Sequence, residues 1–226
     1  MNVITLASRK GGAGKSTLTA HLAAFANRLG HRCLIVDADP QGSLTLWHSL
    51  RMDQQPALQS AARGIDRVLA FAQVDGYDWV FIDTAPTMWV VVQEAVRAAT
   101  LVVIPARPGF FDLAAVRETV AVARAHNRPY AVVINAAPVK RDDKEAPVVA
   151  QSRGELDRLL IPVWSGQISQ RAGFVSSLAV GASAGEIYTD SAAGVEIARL
   201  WSAITRSVDA INAAQRATSG ARGEAA

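Results

Sequence analysis

Residues Lys10-Gly11-Gly12-Ala13-Gly14-Lys15-Ser16-Thr17 constrain this chain more than any other stretch. They follow an apolar run, Asn2 to Ala7, and open an amphipathic run from Lys15 to Leu29 with Leu18, Leu22, Phe25 and Leu29 on one face. Strand, glycine turn and helix in that order are the setting of a phosphate-binding loop. The glycines let backbone N–H groups turn inward as an anion nest, and the helix N-terminus adds the positive end of its dipole. In such a loop Lys15 bridges the β- and γ-phosphates of a nucleotide and the Ser16 hydroxyl binds Mg²⁺. Gly11, Gly12, Ala13, Gly14, Lys15, Ser16 and Thr17 are therefore the expected nucleotide-binding residues.

The rest of the chain repeats the strand–helix alternation. Further buried strands are expected at Arg32 to Asp37, Trp79 to Asp83, Leu101 to Pro105 and Tyr130 to Asn135, with a shorter one at Ile161 to Trp164. Continuous apolar runs of this kind suit strands covered on both faces. Helices are expected at Ile65 to Phe71, Val90 to Ala98, Leu113 to Ala125 with Asp112 as N-cap, Glu145 to Leu160, and Ala192 to Ala214, with Gly30 ending the first helix. The pattern predicts an α/β fold with a doubly wound, mostly parallel sheet flanked by helices. At 226 residues, half of them apolar, it is long enough for one domain without staples. We expect a single domain over 1–214 and a polar, flexible tail over 215–226.

Composition excludes several classes. The one cysteine, Cys33, rules out a disulfide framework or a cysteine-based cluster, and the four histidines have no metal-ligand spacing. No apolar run reaches membrane-spanning length and the first residues do not form a signal peptide, so a soluble cytoplasmic protein is expected. Basic residues number 23 against 20 acidic ones, and only Lys10, Lys15, Lys140 and Lys144 are lysines. Arginine suits phosphate backbones, although codon usage in a high-GC genome gives the same bias.

Two carboxylate segments accompany the loop. Val36-Asp37-Ala38-Asp39-Pro40-Gln41-Gly42 ends the second strand, with Asp37 and Asp39 two residues apart and so on one face. Close like charges need a cation between them, and a magnesium site supplies one. Trp79-Val80-Phe81-Ile82-Asp83 carries a third aspartate to the carboxyl edge of the sheet, where open α/β folds bind ligands, and Asp83 is expected to hold Mg²⁺ through water.

The loop departs from G-x-x-x-x-G-K-[ST]. Arg9 stands where that pattern has glycine, and a second lysine, Lys10, precedes Lys15 by five residues. K-G-G-x-G-K-[ST] resembles the deviant Walker A motif of the ParA/MinD family of ATPases, and Asp37 to Gly42 resembles the D-x-D-P-Q-G segment of ParA proteins. Asp83-Thr84-Ala85-Pro86 is similar to the family's D-T-P-P, with alanine in place of the first proline. Val103 to Pro105 followed by Asp112-Leu113, and Phe174 to Gly181, extend the resemblance over most of the chain.

The resemblance implies a P-loop NTPase of the SIMIBI kind that uses ATP and Mg²⁺. It gives Lys10 a contact with the partner's phosphates across a nucleotide-sandwich homodimer, and it gives Asp39 the orientation of the attacking water. Asp37 then lies near the metal's water shell, Thr84 to Thr87 sense the γ-phosphate, and Asn135 contacts adenine. Lys10, Lys15 and Asp39 form the expected catalytic set, and Ser16, Asp37 and Asp83 the metal set.

Within the family, the ending SGARGEAA has no bulky apolar residue after Ile211, which disfavours a MinD-like membrane-surface or division-site regulator. Electron-transfer relatives need more cysteines than Cys33. The expected member is a short ParA type without an N-terminal helix-turn-helix, acting in plasmid or chromosome partition or in cargo positioning. Its ATP dimer binds DNA non-specifically, and a ParB-like or other adaptor stimulates hydrolysis and release. Arg171, Arg199 and Arg206 are the expected DNA contacts, with Arg216 beyond them, and a dimer doubles such a patch.

Overall fold

The computed structural model describes residues 1–188 and 190–223. Its sheet is six-stranded and entirely parallel: β1 (Asn2–Leu6), β2 (Cys33–Ala38), β3 (Ala57–Ser60), β4 (Trp79–Thr84), β5 (Leu101–Ala106) and β6 (Tyr130–Ile134), in the order β3-β2-β4-β1-β5-β6. The helices are α1 (Lys15–Arg28), α2 (Ser43–Ser49), α3 (Ile65–Val74), α4 (Trp89–Ala98), α5 (Phe110–Ala125), α6 (Pro147–Arg158), α7 (Ala172–Leu178), α8 (Ala184–Ile187) and α9 (Ala192–Gly223).

Strand alternation sorts the core into layers. Ile4, Cys33, Ile35, Trp79 and Phe81 face a layer built from α1, α7, α8 and α9, with Leu18, Leu22, Phe174, Ile197 and Trp201 buried against them. Leu34, Val36, Val80 and Ile82 face the opposite way, onto Ile65, Val68 and Ala72 of α3 and Ala95 of α4. On the β5–β6 side, Val102, Ile104, Val132 and Ile134 pack with Val116 and Val120 of α5 and Val149 and Leu156 of α6. With helices on both faces, the expected doubly wound parallel sheet is what the chain forms.

The differences from expectation have local causes. β3 is a short edge strand with the unremarkable sequence ALQS, only partly buried, so no apolar run marks it. The strand expected at Ile161 to Trp164 is reduced to a single bridge, Val132 with Val163. Pro162 lacks the N–H that a further rung requires, and it contributes only its carbonyl, to the Val132 N–H at 2.8 Å. Asp112 is not the cap of α5, which starts at Phe110 after Gly109. Its Oδ1 accepts instead from the Arg107 N–H at 3.2 Å. α6 begins at Pro147, where proline suits the first turn, and Glu145 stays outside it to pair with Arg153. α9 continues past the expected end at Ala214 to Gly223, while residues 224–226 of the expected tail lie outside the described residues. Among the described residues no helix is long and apolar enough to cross a membrane.

Candidate functional site

The loop between β1 and α1 lies at the carboxyl edge of the sheet, beside the ends of β2, β4 and β5. Gly12 and Gly14 have φ of 73° and 96°, left-handed values that glycine adopts without strain. At Gly14 space imposes the same choice, because a Cβ there would collide with the Asn135 amide. Asn135 Nδ2 donates to the Ala13 carbonyl at 2.7 Å, and both residues are buried behind the loop. Gly11, Gly12, Gly14, Lys15, Ser16 and Thr17 instead line an open cavity of about 890 Å³.

Lys15 is 6% exposed, and its Nζ lies 3.4 Å from the Lys10 carbonyl. Burial holds its pKa below the ordinary lysine value, against the opposing pull of Asp83 and Asp39. Ser16 Oγ donates to Asp83 Oδ2 at 2.5 Å. Asp83 is fully buried and its other oxygen, Oδ1, has no hydrogen-bond partner. Burial pushes its pKa up to about 7, the Ser16 hydrogen bond and Lys15 pull it down, and Asp37 and Asp39 raise it further. An orphaned buried carboxylate next to a serine hydroxyl and an anion nest is what a cation completes.

The three aspartates take different roles in the geometry. Asp37 is the register partner of Asp83 on the neighbouring strand, so the two carboxylates stand side by side. Its own oxygens are occupied: Oδ2 accepts from the Thr45 N–H at 3.0 Å and Thr45 Oγ1 at 2.8 Å, and Oδ1 from the Asp39 N–H at 3.3 Å. Thr45 belongs to α2, an element that sequence periodicity did not reveal. Asp39 lines the cavity, with Oδ1 held by the Gln41 N–H at 3.0 Å. Among the described residues no group of three or more His, Cys, Asp or Glu gathers as a metal cage. Ser16 and Asp83 still fit magnesium, which keeps several waters and takes the rest of its shell from phosphate.

Lys10 lies at the rim, its Nζ 4.0 Å from Asp112 Oδ2. The segment after Asp83 turns back over the cavity: Thr84 Oγ1 donates to the Leu6 carbonyl at 3.0 Å, and Ala85, Pro86, Thr87 and Met88 form one wall.

The opposite wall is apolar, with Leu46, Trp47 and Leu50 near α2 and Val175 and Leu178 on α7. A buried arginine that the sequence did not single out locks this wall. Arg51 donates to Glu186 Oε1 at 2.7 Å and to the Gly181 carbonyl at 2.9 Å, and its guanidinium stacks 4.7 Å from the Trp47 ring centroid. Trp47 Nε1 donates to the Ala182 carbonyl at 3.1 Å. Gly181 has φ of 71°, and a Cβ there would strike the backbone of Leu50 and Arg51. His21, in the middle of α1, accepts the Ala184 N–H on Nδ1 at 3.2 Å, which leaves Nε2–H to donate to the Phe174 carbonyl at 3.3 Å.

The arginines expected on a DNA-facing patch are not equivalent. Arg171 forms an ion pair with Glu196 at 2.9 Å, with a second contact from Nε at 3.1 Å, so its charge is balanced within the chain. Arg199 and Arg206 are exposed on α9, Arg206 donating to Ser202 Oγ at 2.6 Å, and Arg216 is exposed further along.

Comparison with known proteins agrees with this architecture. The chain is 35% identical over 128 residues to the maintenance of carboxysome distribution protein A of Gloeobacter kilaueensis, covering 52% of this chain and 55% of that protein. It is 31% identical over 140 residues to the chromosome-partitioning ATPase Soj of Thermus thermophilus, covering 49% and 56%. The chain thus spans little more than half the length of these curated relatives. Among solved structures, apo McdA of Cyanothece superposes with a TM-score of 0.73 at 13% identity, covering 92% of this chain and 99% of that one. The MinC:MinD complex of Aquifex aeolicus superposes with a TM-score of 0.71 at 21% identity, covering 91% and 96%. At these identities the structural likeness speaks for the fold alone. The sequence over residues 4–200 matches the family described as the CobQ/CobB/MinD/ParA nucleotide binding domain, and the chain belongs to that family.

Proposed function

We propose that this chain is an ATP-operated switch of the ParA kind, a Mg²⁺-dependent ATPase with slow intrinsic turnover that acts in DNA partition or cargo positioning. The observation that carries the reading is Asp83, buried, hydrogen-bonded to Ser16 of the phosphate loop and left with one unpartnered oxygen beside a cavity of about 890 Å³. Relatives named for chromosome partition and for carboxysome distribution support the class.

Ser16 and Asp83 would hold a magnesium ion, which would supply charge neutralisation of the phosphates. The loop amides cradle the phosphate chain, and Lys15, desolvated in the wall, sets its ammonium against the β- and γ-oxygens. Asp39 would orient the attacking water, while Asp37 would lie near the metal and braces α2 through Thr45. Asn135 fixes the loop from behind with one amide N–H on the Ala13 carbonyl, and its second N–H and its carbonyl oxygen remain to meet adenine. Lys10 turns from Asp112 to the phosphates of a second copy, which ties hydrolysis to dimer formation.

In the ATP dimer, paired Arg199 and Arg206 surfaces bind DNA phosphates without reading sequence, and Arg171 holds α7 to α9 through Glu196. A ParB-like or other adaptor stimulates hydrolysis and release. The protein then cycles between a cytoplasmic form and a nucleoid-bound ATP form.

Binding of the Asp39→Ala protein to random-sequence duplex DNA, with ATP, with ADP and without nucleotide, tests this reading. Binding is expected only with ATP, weakening as salt rises and in Arg199→Glu or Arg206→Glu. ATP dimers with no affinity for DNA would transfer the switch to a lipid or protein surface. Normal ATP-dependent dimerisation of Lys10→Ala would remove the sandwich from the mechanism.

A further inference from the structure

Arg107 follows β5 at the carboxyl edge of the sheet and lines the cavity with Gly11, Gly12 and Lys15. A Cβ built on Gly12 would stand 4.0 Å from Arg107 Nη2, so the guanidinium lies close beside the phosphate loop. Its backbone is fixed on two sides. The N–H donates to Asp112 Oδ1 at 3.2 Å, Asp112 is only 9% exposed, and Pro108 restricts the residue before it to extended geometry.

The guanidinium differs from several others of the chain in the charge around it. Arg9, Arg51, Arg153 and Arg171 are each paired with a glutamate. Among the described residues no carboxylate pairs with the guanidinium of Arg107. A planar, charged fork on a fixed strand end, open to a cavity and beside an anion nest, is suited to a phosphate. It stands over Gly12, four residues ahead of the Ser16 and Asp83 pair that suits the metal.

We propose that Arg107 is a specificity-determining residue that binds the third phosphate of the nucleotide in cis, and so makes the site favour the triphosphate over the diphosphate. This rests on the nucleotide-switch reading above. It adds a contact from the same subunit, separate from the one assigned to Lys10 across the dimer.

The test is calorimetric titration of the full chain carrying Asp39→Ala, which removes the water-orienting group, with Mg²⁺ and either ATP or ADP. Adding Arg107→Ala is expected to weaken ATP binding about tenfold, the loss of one charge-assisted hydrogen bond, and to leave ADP binding within about twofold. Arg107→Lys keeps the charge without the fork and is expected to fall between the two. An unchanged ATP-to-ADP ratio in Arg107→Ala overturns the assignment. An equal loss for both nucleotides also overturns it, because it puts the guanidinium on a phosphate they share. A parent protein that binds neither nucleotide overturns the switch reading on which the assignment rests.

Discussion

The two ends of the cavity are built on opposite principles. At the polar end Asp83 keeps a buried oxygen without a partner, and Lys15, 6% exposed, has a 3.4 Å contact to a carbonyl. At the apolar end three polar side chains are answered: Arg51 has Glu186 and a set of carbonyls, Trp47 has Ala182, and His21 has a partner on each ring nitrogen. Unsatisfied buried groups cost stability and persist where a ligand completes them, whereas satisfied networks set the shape around them. The polar end therefore belongs to the ligand and the apolar end to the fold. Substitutions at the two ends should separate binding from stability.

The largest separation is expected at Lys15. Lys15→Ala should reduce ATP affinity by about 100-fold, read by calorimetry, with the urea midpoint close to that of the parent. A parallel collapse of stability would show that Lys15 serves the fold as well. Arg51→Ala should do the reverse and cost about 2 kcal/mol in urea unfolding, since it removes a buried guanidinium and leaves the Gly181, Asp53 and Gln55 carbonyls without that donor. In a variant still folded, ATP affinity should change far less than it does for Lys15→Ala.

The apolar end should also be the acid-sensitive one. Burial drives the pKa of His21 down to about 4, while its hydrogen bond to Phe174 and the charge of Glu186 resist that shift. Glu186 is held below the ordinary glutamate value: burial raises it, and the hydrogen bonds from Arg51 and Ser183 outweigh burial. Both folded-state pKa values are depressed, so both groups contribute stability at neutral pH that is lost as pH falls. For His21 the loss begins below the unfolded value near 6.5 and is complete below about 4. Melting temperature measured from pH 7 to pH 4 should drop, and His21→Gln should flatten the part of that drop between pH 6.5 and 4. An unaltered profile would mean that His21 titrates as freely in the folded chain as in the unfolded one.

The smallest effect is expected at Thr45. Thr45→Ala removes one hydroxyl from Asp37 while its N–H remains, and should cost about 1 kcal/mol in urea. It sharpens the comparison because Asp37 stands between the two ends.

What could be read in the sequence followed how local the information is. The phosphate loop is eight consecutive residues, and Asp83 closes an uninterrupted apolar strand, so both were legible with their setting. The central strands were legible because burial on both faces leaves continuous apolar runs. The edge strand β3 and the short helices α2, α7 and α8 were not, since each gets its place from neighbours rather than from its own periodicity. Arg51 and Glu186 are 135 residues apart, and Asn135 meets Ala13 across 122. A single buried arginine in a chain rich in arginine has no local signature. Arg171 shows the converse: position along the chain suggested an open cation, and only the approach of α9 reveals Glu196 beside it.

α1 is a single rod that runs from the phosphate loop to the seam of α7 and α8. Its first residue, Lys15, lines the cavity, and six residues later His21 is pinned to the backbones of α7 and α8. At about 1.5 Å of rise per residue the two points are roughly 9 Å apart along the axis. A helix barely compresses over that length, so an axial displacement of the loop end reaches the α7 and α8 seam at nearly full stroke. At that seam the imidazole of His21 is joined by Arg28, which donates to the Gly185 carbonyl of α8.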